Sequence, residues 1–210
     1  MTQSAEATRM LDEYQVTRVR RIWAFSRDHG DWETLKSCFH PDATVIISWY
    51  SGSASGFVER SQQAAATRKP EERSQHWLGN VRADVRGDRA ILESDVQILS
   101  RDYLDGHLFD CTCYGRFYDL FERRNGEWRI AKWTCIYDKD RLDPVLPTAV
   151  PPSFYDELSL TGENSSCAFM RLRQKKKGRS VPAGLTMGGS EAERSLKAEG
   201  EQWLARAGSA

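Results

Sequence analysis

The 210-residue chain holds four histidines, and one of them lies where proton transfer can be done. His76 sits in Ser74-Gln75-His76-Trp77-Leu78-Gly79-Asn80, a segment with strand character in which residues of one parity face inward. An imidazole on that inner face, among apolar neighbours, would titrate near working pH and act as a general base. Asp28 ends the first helical segment, on the layer that must cover the same sheet face. A carboxylate there can hydrogen-bond one ring nitrogen, fix the tautomer and stabilise the imidazolium formed when the other nitrogen takes a proton. By position alone, a structural strand His76 and a solvated Asp28 are the commoner arrangements. His29, His40 before Pro41, and His107 beside a turn read as residues that end elements.

Other chemistries lack their residues. There is no metal-ligand spacing, no Gly-x-Ser-x-Gly elbow, no phosphate loop and no dinucleotide fingerprint, so neither metal nor cofactor is expected. The five cysteines form no Cys-x-x-Cys pair and read as small buried hydrophobes; Cys111 and Cys113 share a strand face but lack two further ligands. Lys and Arg total 30 against 30 Asp and Glu, which argues against a surface devoted to nucleic acid or anionic membrane. Arg171-Leu-Arg-Gln-Lys-Lys-Lys-Gly-Arg179 is basic at six of nine positions. Without interleaved aromatics it reads as a solvated helix end or a pocket rim, not a phosphate contact. Seven Trp, seven Tyr and eight Phe suit a pocket for a flat apolar ligand. No apolar run approaches a membrane span and Met1 to Thr8 lacks signal-peptide character, so a cytoplasmic location is expected.

The elements that must position these residues can be read in order. Glu6 to Arg27 has no Gly or Pro and carries Leu11, Tyr14, Val19, Ile22, Trp23 and Phe25 near helical spacing. His29-Gly30 ends this helix, and Asp31 caps a short second one through Trp32, Leu35 and Phe39. Ala43 to Tyr50 reads as a strand, Ser51 to Gly56 as a small-residue loop, and Phe57 to Arg68 as a third helix. Four long strands follow, at about 73–86, 89–104, 107–124 and 127–138, joined at Gly87-Asp88, Asp105-Gly106 and Asn125-Gly126. Strands of this length must twist and curl, with Gly79 and Gly115 as places for a bulge. The fold class is therefore α+β, a cone-shaped curled antiparallel sheet covered by three N-terminal helices, with an apolar cavity between the layers. The expected units are a cone over 1–142, an extended Pro-rich connector over 143–153, and a helical extension over 154–210 that packs on the cone or on a partner. Within that extension Ser166 to Lys177 and Ser190 to Ala207 read as helices, the second with Ser190-x-x-Glu193 as a capping box. An apolar convex sheet face would pair subunits into a homodimer or homotrimer.

Four stretches together resemble a known family: Arg27-Asp28-His29-Gly30-Asp31-Trp32-Glu33-Thr34-Leu35, Phe39-His40-Pro41-Asp42-Ala43, His76-x-x-Gly-Asn80, and Tyr118-x-x-Phe-Glu-Arg-Arg-Asn-Gly-Glu-Trp128-Arg-Ile. Their order is similar to that in the SnoaL-like branch of the nuclear transport factor 2-like superfamily, which includes scytalone dehydratase, bile acid 7α-dehydratase and a hexachlorocyclohexane dehydrochlorinase. The resemblance covers residues 8–142 and implies a cofactor-independent lyase. In the lyases the matching Asp and His pair, which places the roles on Asp28 and His76. Where the dehydrochlorinase has an Arg this chain has Trp133, and the bile acid enzyme's Arg position matches Tyr137. The resemblance thus leaves a substrate carboxylate or leaving chloride without a cationic partner. It implies an aromatic substrate stacked among Trp23, Trp49, Phe117 and Trp133, with Tyr50, Tyr103 or Tyr137 bonding its oxygens, although about half of such strand aromatics belong to plain core. A dehydratase, a formaldehyde-releasing lyase on aryl diols, an isomerase or cyclase, and a non-catalytic subunit like that of the ring-hydroxylating dioxygenases all fit this branch.

Overall fold

The computed structural model describes residues 3–162 and 165–208. Helix α1 (Gln3–His29) presents Asp12, Val16, Arg20, Trp23 and Arg27 at steps of three and four, and all five are buried on one face. Gly30, at φ +76°, ends it in the left-handed conformation, and Asp31 N–H returns to the Ser26 carbonyl at 3.0 Å. The Asp31 carboxylate then accepts the Thr34 N–H and starts α2 (Trp32–Ser37). The Trp32 edge of this short helix faces back toward α1, with the Arg27 guanidinium 5.9 Å from the ring centre.

Strands β1 (Phe39–Ile47) and β2 (Tyr50–Ser53) form a hairpin leading into α3 (Ala54–Ala66). The expected loop over 51–56 is instead the end of β2 and the first turn of α3: Ser51 to Ser53 pair with β1, and the Ser53 hydroxyl accepts the Gly56 N–H. A serine followed by small residues signalled a cap as much as a loop. Next come β3 (Arg73–Arg86), β4 (Arg89–Leu104), β5 (His107–Arg124) and β6 (Glu127–Pro144). These four are antiparallel neighbours, and β1 joins β6 in parallel, giving the order β2-β1-β6-β5-β4-β3. Both central residues of the Asp105-Gly106 and Asn125-Gly126 turns have positive φ, the geometry whose twist matches that of the flanking strands. The antiparallel part of the sheet has three irregularities: β3 gains a residue near Gly79 and Asn80, and β6 gains one opposite Tyr114/Gly115 and another opposite Leu120/Phe121. At Gly115 a Cβ would collide with the Ile136 carbonyl, so glycine allows the two strands to close there.

The space between sheet and helices is filled, contrary to the expected open apolar cavity. Trp23 meets Phe117 and Trp133 edge-on at 5.4 and 4.6 Å, and Phe57 packs against both Trp133, at 5.2 Å, and Trp23, at 6.3 Å. Arg20 lies over Trp23, Phe117 and Trp133 and is paired in the core with Asp119, its Nε donating to Oδ2 at 2.8 Å. Burial raises Asp119 to about 6 against the pull of Arg20. Burial also pushes the Cys111 thiol up to about 12 and Cys113 well above its usual value, so these cysteines stay protonated as core residues.

The later segments lie against the same sheet. Residues 143–153 are not an extended connector, because β6 continues to Pro144 beside Phe109 and short 3-10 turns form over Pro147–Ala149 and Pro152–Tyr155. Proline fits the first turn of such a helix as readily as an extended chain. Phe154 from the second turn stacks on Phe109 at 4.6 Å. Helix α4 (Ala168–Lys176) follows, and β7 (Thr186–Met187) pairs with Ile136 and Tyr137 on β6. Helix α5 (Glu191–Ala205) is capped by Ser190, while the Glu193 carboxylate accepts the Gly189 N–H, one residue earlier than a standard capping box. The convex face, expected to be apolar, is mixed: Glu93, Asp95, Gln97 and Arg101 on β4 and Thr112 and Arg116 on β5 share it with Ile91, Leu99, Tyr114 and the exposed Trp77 of β3. Arg116 binds Glu93 and Asp138 on the sheet and Glu193 on α5, and so ties that helix down. Among the described residues no helix is long and apolar enough to cross a membrane.

Candidate active site

His76 stands on β3, the edge strand, opposite Ile98 of β4. Its backbone N–H, on the open side of the strand, donates to Asp28 Oδ2 at 2.7 Å, and its ring Nδ1 meets Asp28 Oδ1 at 2.7 Å. One carboxylate thus holds main chain and ring together. A carboxylate in the last turn of a helix is unfavourably placed against the helix dipole, and these two hydrogen bonds compensate it. Both side chains are about nine-tenths buried, at 10% exposure for His76 and 9% for Asp28. With Nδ1 occupied, Nε2 is the free ring nitrogen and carries no hydrogen bond among the described residues. Trp23 packs edge-on against the imidazole at 5.2 Å and Phe117 lies at 6.3 Å. Burial is the largest influence on the His76 pKa and, together with Arg27 and Arg20, lowers it below the ordinary value against the opposing pull of Asp28. The ring is therefore neutral and able to accept a proton at neutral pH.

His76 lines a cavity of about 350 Å³ at the mouth of the cone. Of the aromatic residues expected around the substrate, Trp49 and Tyr103 line it. Trp23, Phe117 and Trp133 do not; they are at most 2% exposed and form the packed floor beneath the imidazole. Tyr50 and Tyr137 are also outside the lining. The Tyr50 hydroxyl donates to the Ser53 carbonyl at 2.8 Å, and the Tyr137 hydroxyl accepts the Ser48 N–H at 2.6 Å. Both are buried and committed to backbone, so neither is placed to assist a leaving oxygen. Long inward positions of β1, β5 and β6 had to fill the cone before any could line a ligand, and periodicity does not separate the two uses.

The walls are charged, which the aromatic composition did not announce. Seven Lys and Arg side chains line the cavity against two carboxylates, Glu72 and Asp102. Those two carboxylates are already paired: Lys177 reaches both, at 3.0 and 2.5 Å, and Arg173 binds Asp102 at 2.5 Å. Arg173 in the last turn of α4 and Lys177 at its C-cap stand one turn apart, and with Arg179 they make half of the basic run a cavity wall. Ser100 also lines the cavity, and its buried Oγ has no hydrogen-bond partner among the described residues. Among the described residues no three His, Cys, Asp or Glu side chains group as a metal site requires.

Three comparisons bear on this arrangement. Pea pathogenicity protein 2 of Fusarium vanettenii is 30% identical over 153 residues, 70% of this chain and 64% of that protein, so the chain spans just under two thirds of its length. A scytalone dehydratase-like protein, mdpB, of Emericella nidulans is 24% identical over 129 residues, 53% of this chain and 60% of that one. Among solved structures, a Novosphingobium aromaticivorans protein assigned as a scytalone dehydratase superposes with a TM-score of 0.56 at 16% identity, covering 65% of this chain and 90% of that one, a likeness of fold. The model of the SnoaL-like domain matches residues 8–134, from α1 through the inner half of β6, and the chain belongs to the SnoaL-like domain family.

Proposed function

We propose that this chain is a cofactor-independent lyase of the dehydratase type, acting on a small hydroxylated aromatic or polycyclic substrate. The observation that carries the reading is the double hold of Asp28 on His76, which leaves Nε2 as the free base in a cavity of small-molecule size. His76 Nε2 removes a proton from a carbon activated by a neighbouring carbonyl, and the electron pair of that C–H bond becomes the new double bond. The C–O bond to the adjacent hydroxyl breaks, and the imidazolium returns its proton to the departing oxygen, so the products are a conjugated alkene and water. Asp28 holds the tautomer with Nδ1–H and stabilises the imidazolium between the two transfers. Trp49 supplies a flat wall for an aromatic ring. The sequence likeness to a scytalone dehydratase-like protein supports the reaction type.

The test is turnover of aryl diols and aromatic β-hydroxy ketones by chelator-treated protein, followed through the absorbance of the conjugated product, for wild type and His76→Gln. Turnover that falls at least about 10²-fold in the variant is expected, the lower end for a positioned base. Equal turnover in both proteins would overturn the mechanism.

A further inference from the structure

Among the described residues, Arg27, Arg68, Arg73 and Arg179 line the cavity with no carboxylate bound to them, and Arg27 and Arg179 are the two whose burial lowers their pKa. Arg27 precedes Asp28 on α1, is 8% exposed, lines the cavity, and its Nη1 is buried with no hydrogen-bond partner among the described residues. Burial and the nearby Arg68 bring its pKa down to about 10, although Asp28 opposes them. Arg179 reaches the same cavity from the other end of the chain. Gly178, at φ +69°, closes α4 in the left-handed conformation, and the Arg179 N–H returns to the Gln174 carbonyl at 2.9 Å. This turn points the side chain back over the mouth, where it bonds Gln174 Oε1 at 3.1 Å and lies 5.4 Å from the centre of Trp49. Its pKa is lowered too, by burial first and then by Arg173.

Burying a cation without a counter-charge is destabilising, and leaving a guanidinium nitrogen without an acceptor adds to it. The two carboxylates that line the cavity cannot relieve this, because Lys177 and Arg173 already occupy them. An arrangement of this kind is stable in the complex, where an anion supplies the missing acceptors, and planar guanidinium forks match a carboxylate best. The Ser100 hydroxyl, also unpartnered and lining the same space, offers a further donor.

Resting on the lyase reading for its position beside His76, we infer that the substrate carries a carboxylate, bound between Arg27 and Arg179 with its ring against Trp49. This reverses the expectation that a carboxylate would find no cationic partner. The arrangement of Trp133 and Tyr137 pointed to that absence, but the cations come from the end of α1 and from beyond α4. Anchoring the carboxylate at Arg27 sets the adjacent carbons near His76, since the two side chains line one cavity and Arg27 is close enough to depress the imidazole.

The test is binding, which does not depend on turnover. Cinnamate, an aromatic carboxylate with the conjugated alkene of an elimination product, is titrated by calorimetry against wild type, Arg27→Gln, Arg179→Gln and His76→Gln, with cinnamamide as the uncharged match and inorganic phosphate as a competitor. Cinnamate is expected to bind wild type at least tenfold more tightly than cinnamamide. Each Arg variant should lose at least tenfold in cinnamate affinity with the amide unchanged, and His76→Gln should keep the preference. Thermal melts check folding, and removing a buried unpaired cation should leave the fold intact. Equal affinity for acid and amide, no cinnamate binding at millimolar concentration, or displacement by phosphate at lower concentration than by cinnamate would each overturn the inference. A retained acid preference in a protein with no turnover would uphold the carboxylate site and count against the lyase reading alone.

Discussion

Asp28 holds His76 at two points, with one carboxylate oxygen on the ring nitrogen and the other on the main-chain N–H, each at 2.7 Å. The same side chain therefore sets the imidazole tautomer and closes the open edge of β3 against the end of α1. An amide cannot do both, because asparagine has a single acceptor oxygen. Asp28→Asn should lower turnover by at least about 10²-fold and should destabilise the fold by about 1–3 kcal/mol, the range for a buried polar group left unpaired. Steady-state rates and thermal melts of the one variant check both halves.

The pH dependence follows from the lowered His76 pKa. The base is active when neutral, so kcat/KM should rise through an acid limb with its midpoint below 6.5 and be level at neutral pH. Stability follows the same sign. A histidine whose folded pKa lies below its unfolded value binds more protons when unfolded, so its contribution is complete above about 6.5 and is lost as pH falls through the folded value. His76→Gln should lose less stability than wild type between pH 7 and pH 5, as measured by denaturant titration.

Arg20 and Asp119 share the core of the cone with Trp23 and Trp133. Removing one partner of a buried ion pair leaves an uncompensated charge, so Arg20→Met should destabilise the protein by about 3–5 kcal/mol. Asp119 already sits at about 6, and without Arg20 its neutral form becomes easier to reach. The deficit should be larger at pH 8 than at pH 5, in chemical unfolding at the two values. An equal deficit at both would contradict the placement of Asp119.

On the convex face, Glu193 receives Arg116, Lys197 and the Gly189 N–H, and these bring its carboxyl down to about 2 despite partial burial. A carboxyl with a lowered folded pKa stabilises above its unfolded value and loses that effect as pH falls from about 4.5 toward 2. Ser190→Ala removes the cap that starts α5 and should cost about 1 kcal/mol, seen as faster amide exchange confined to 191–205.

The strands and turns were legible because Asp105-Gly106 and Asn125-Gly126 each need two positive φ angles, which few other residue pairs adopt as readily. His76 could be singled out because the chain has only four histidines, and Asp28, one of fifteen aspartates, because it ends the first helix and matches the family's Asp position. The division of aromatics between floor and wall was not legible. Trp49 and Trp133 have the same composition signal, and only the packing of Trp23, Phe57 and Phe117 around Trp133 decides that it is floor. The cationic wall was legible only in part: the basic run over 171–179 read as a solvated helix end or a pocket rim, and its Arg173, Lys177 and Arg179 line the cavity, but Arg27 and Arg68 gave no such signal. Arg27, Arg68 and Arg179 come from three elements, and it takes the left-handed turn at Gly178 to bring the last of them back to the mouth. Ser100, an inward serine in a long strand, gave no sequence signal at all.

The central claim is that His76 takes a proton from carbon, and an isotope reads that step directly. A turned-over β-hydroxy ketone, deuterated at the carbon between carbonyl and carbinol, should react several-fold more slowly than the unlabelled compound, and its alkene should have lost one deuterium from that carbon. In His76→Gln both the rate and the deuterium loss should fall together by at least about 10²-fold. Product that keeps both deuterons, or a His76→Gln protein that removes deuterium at the wild-type rate, would contradict the account.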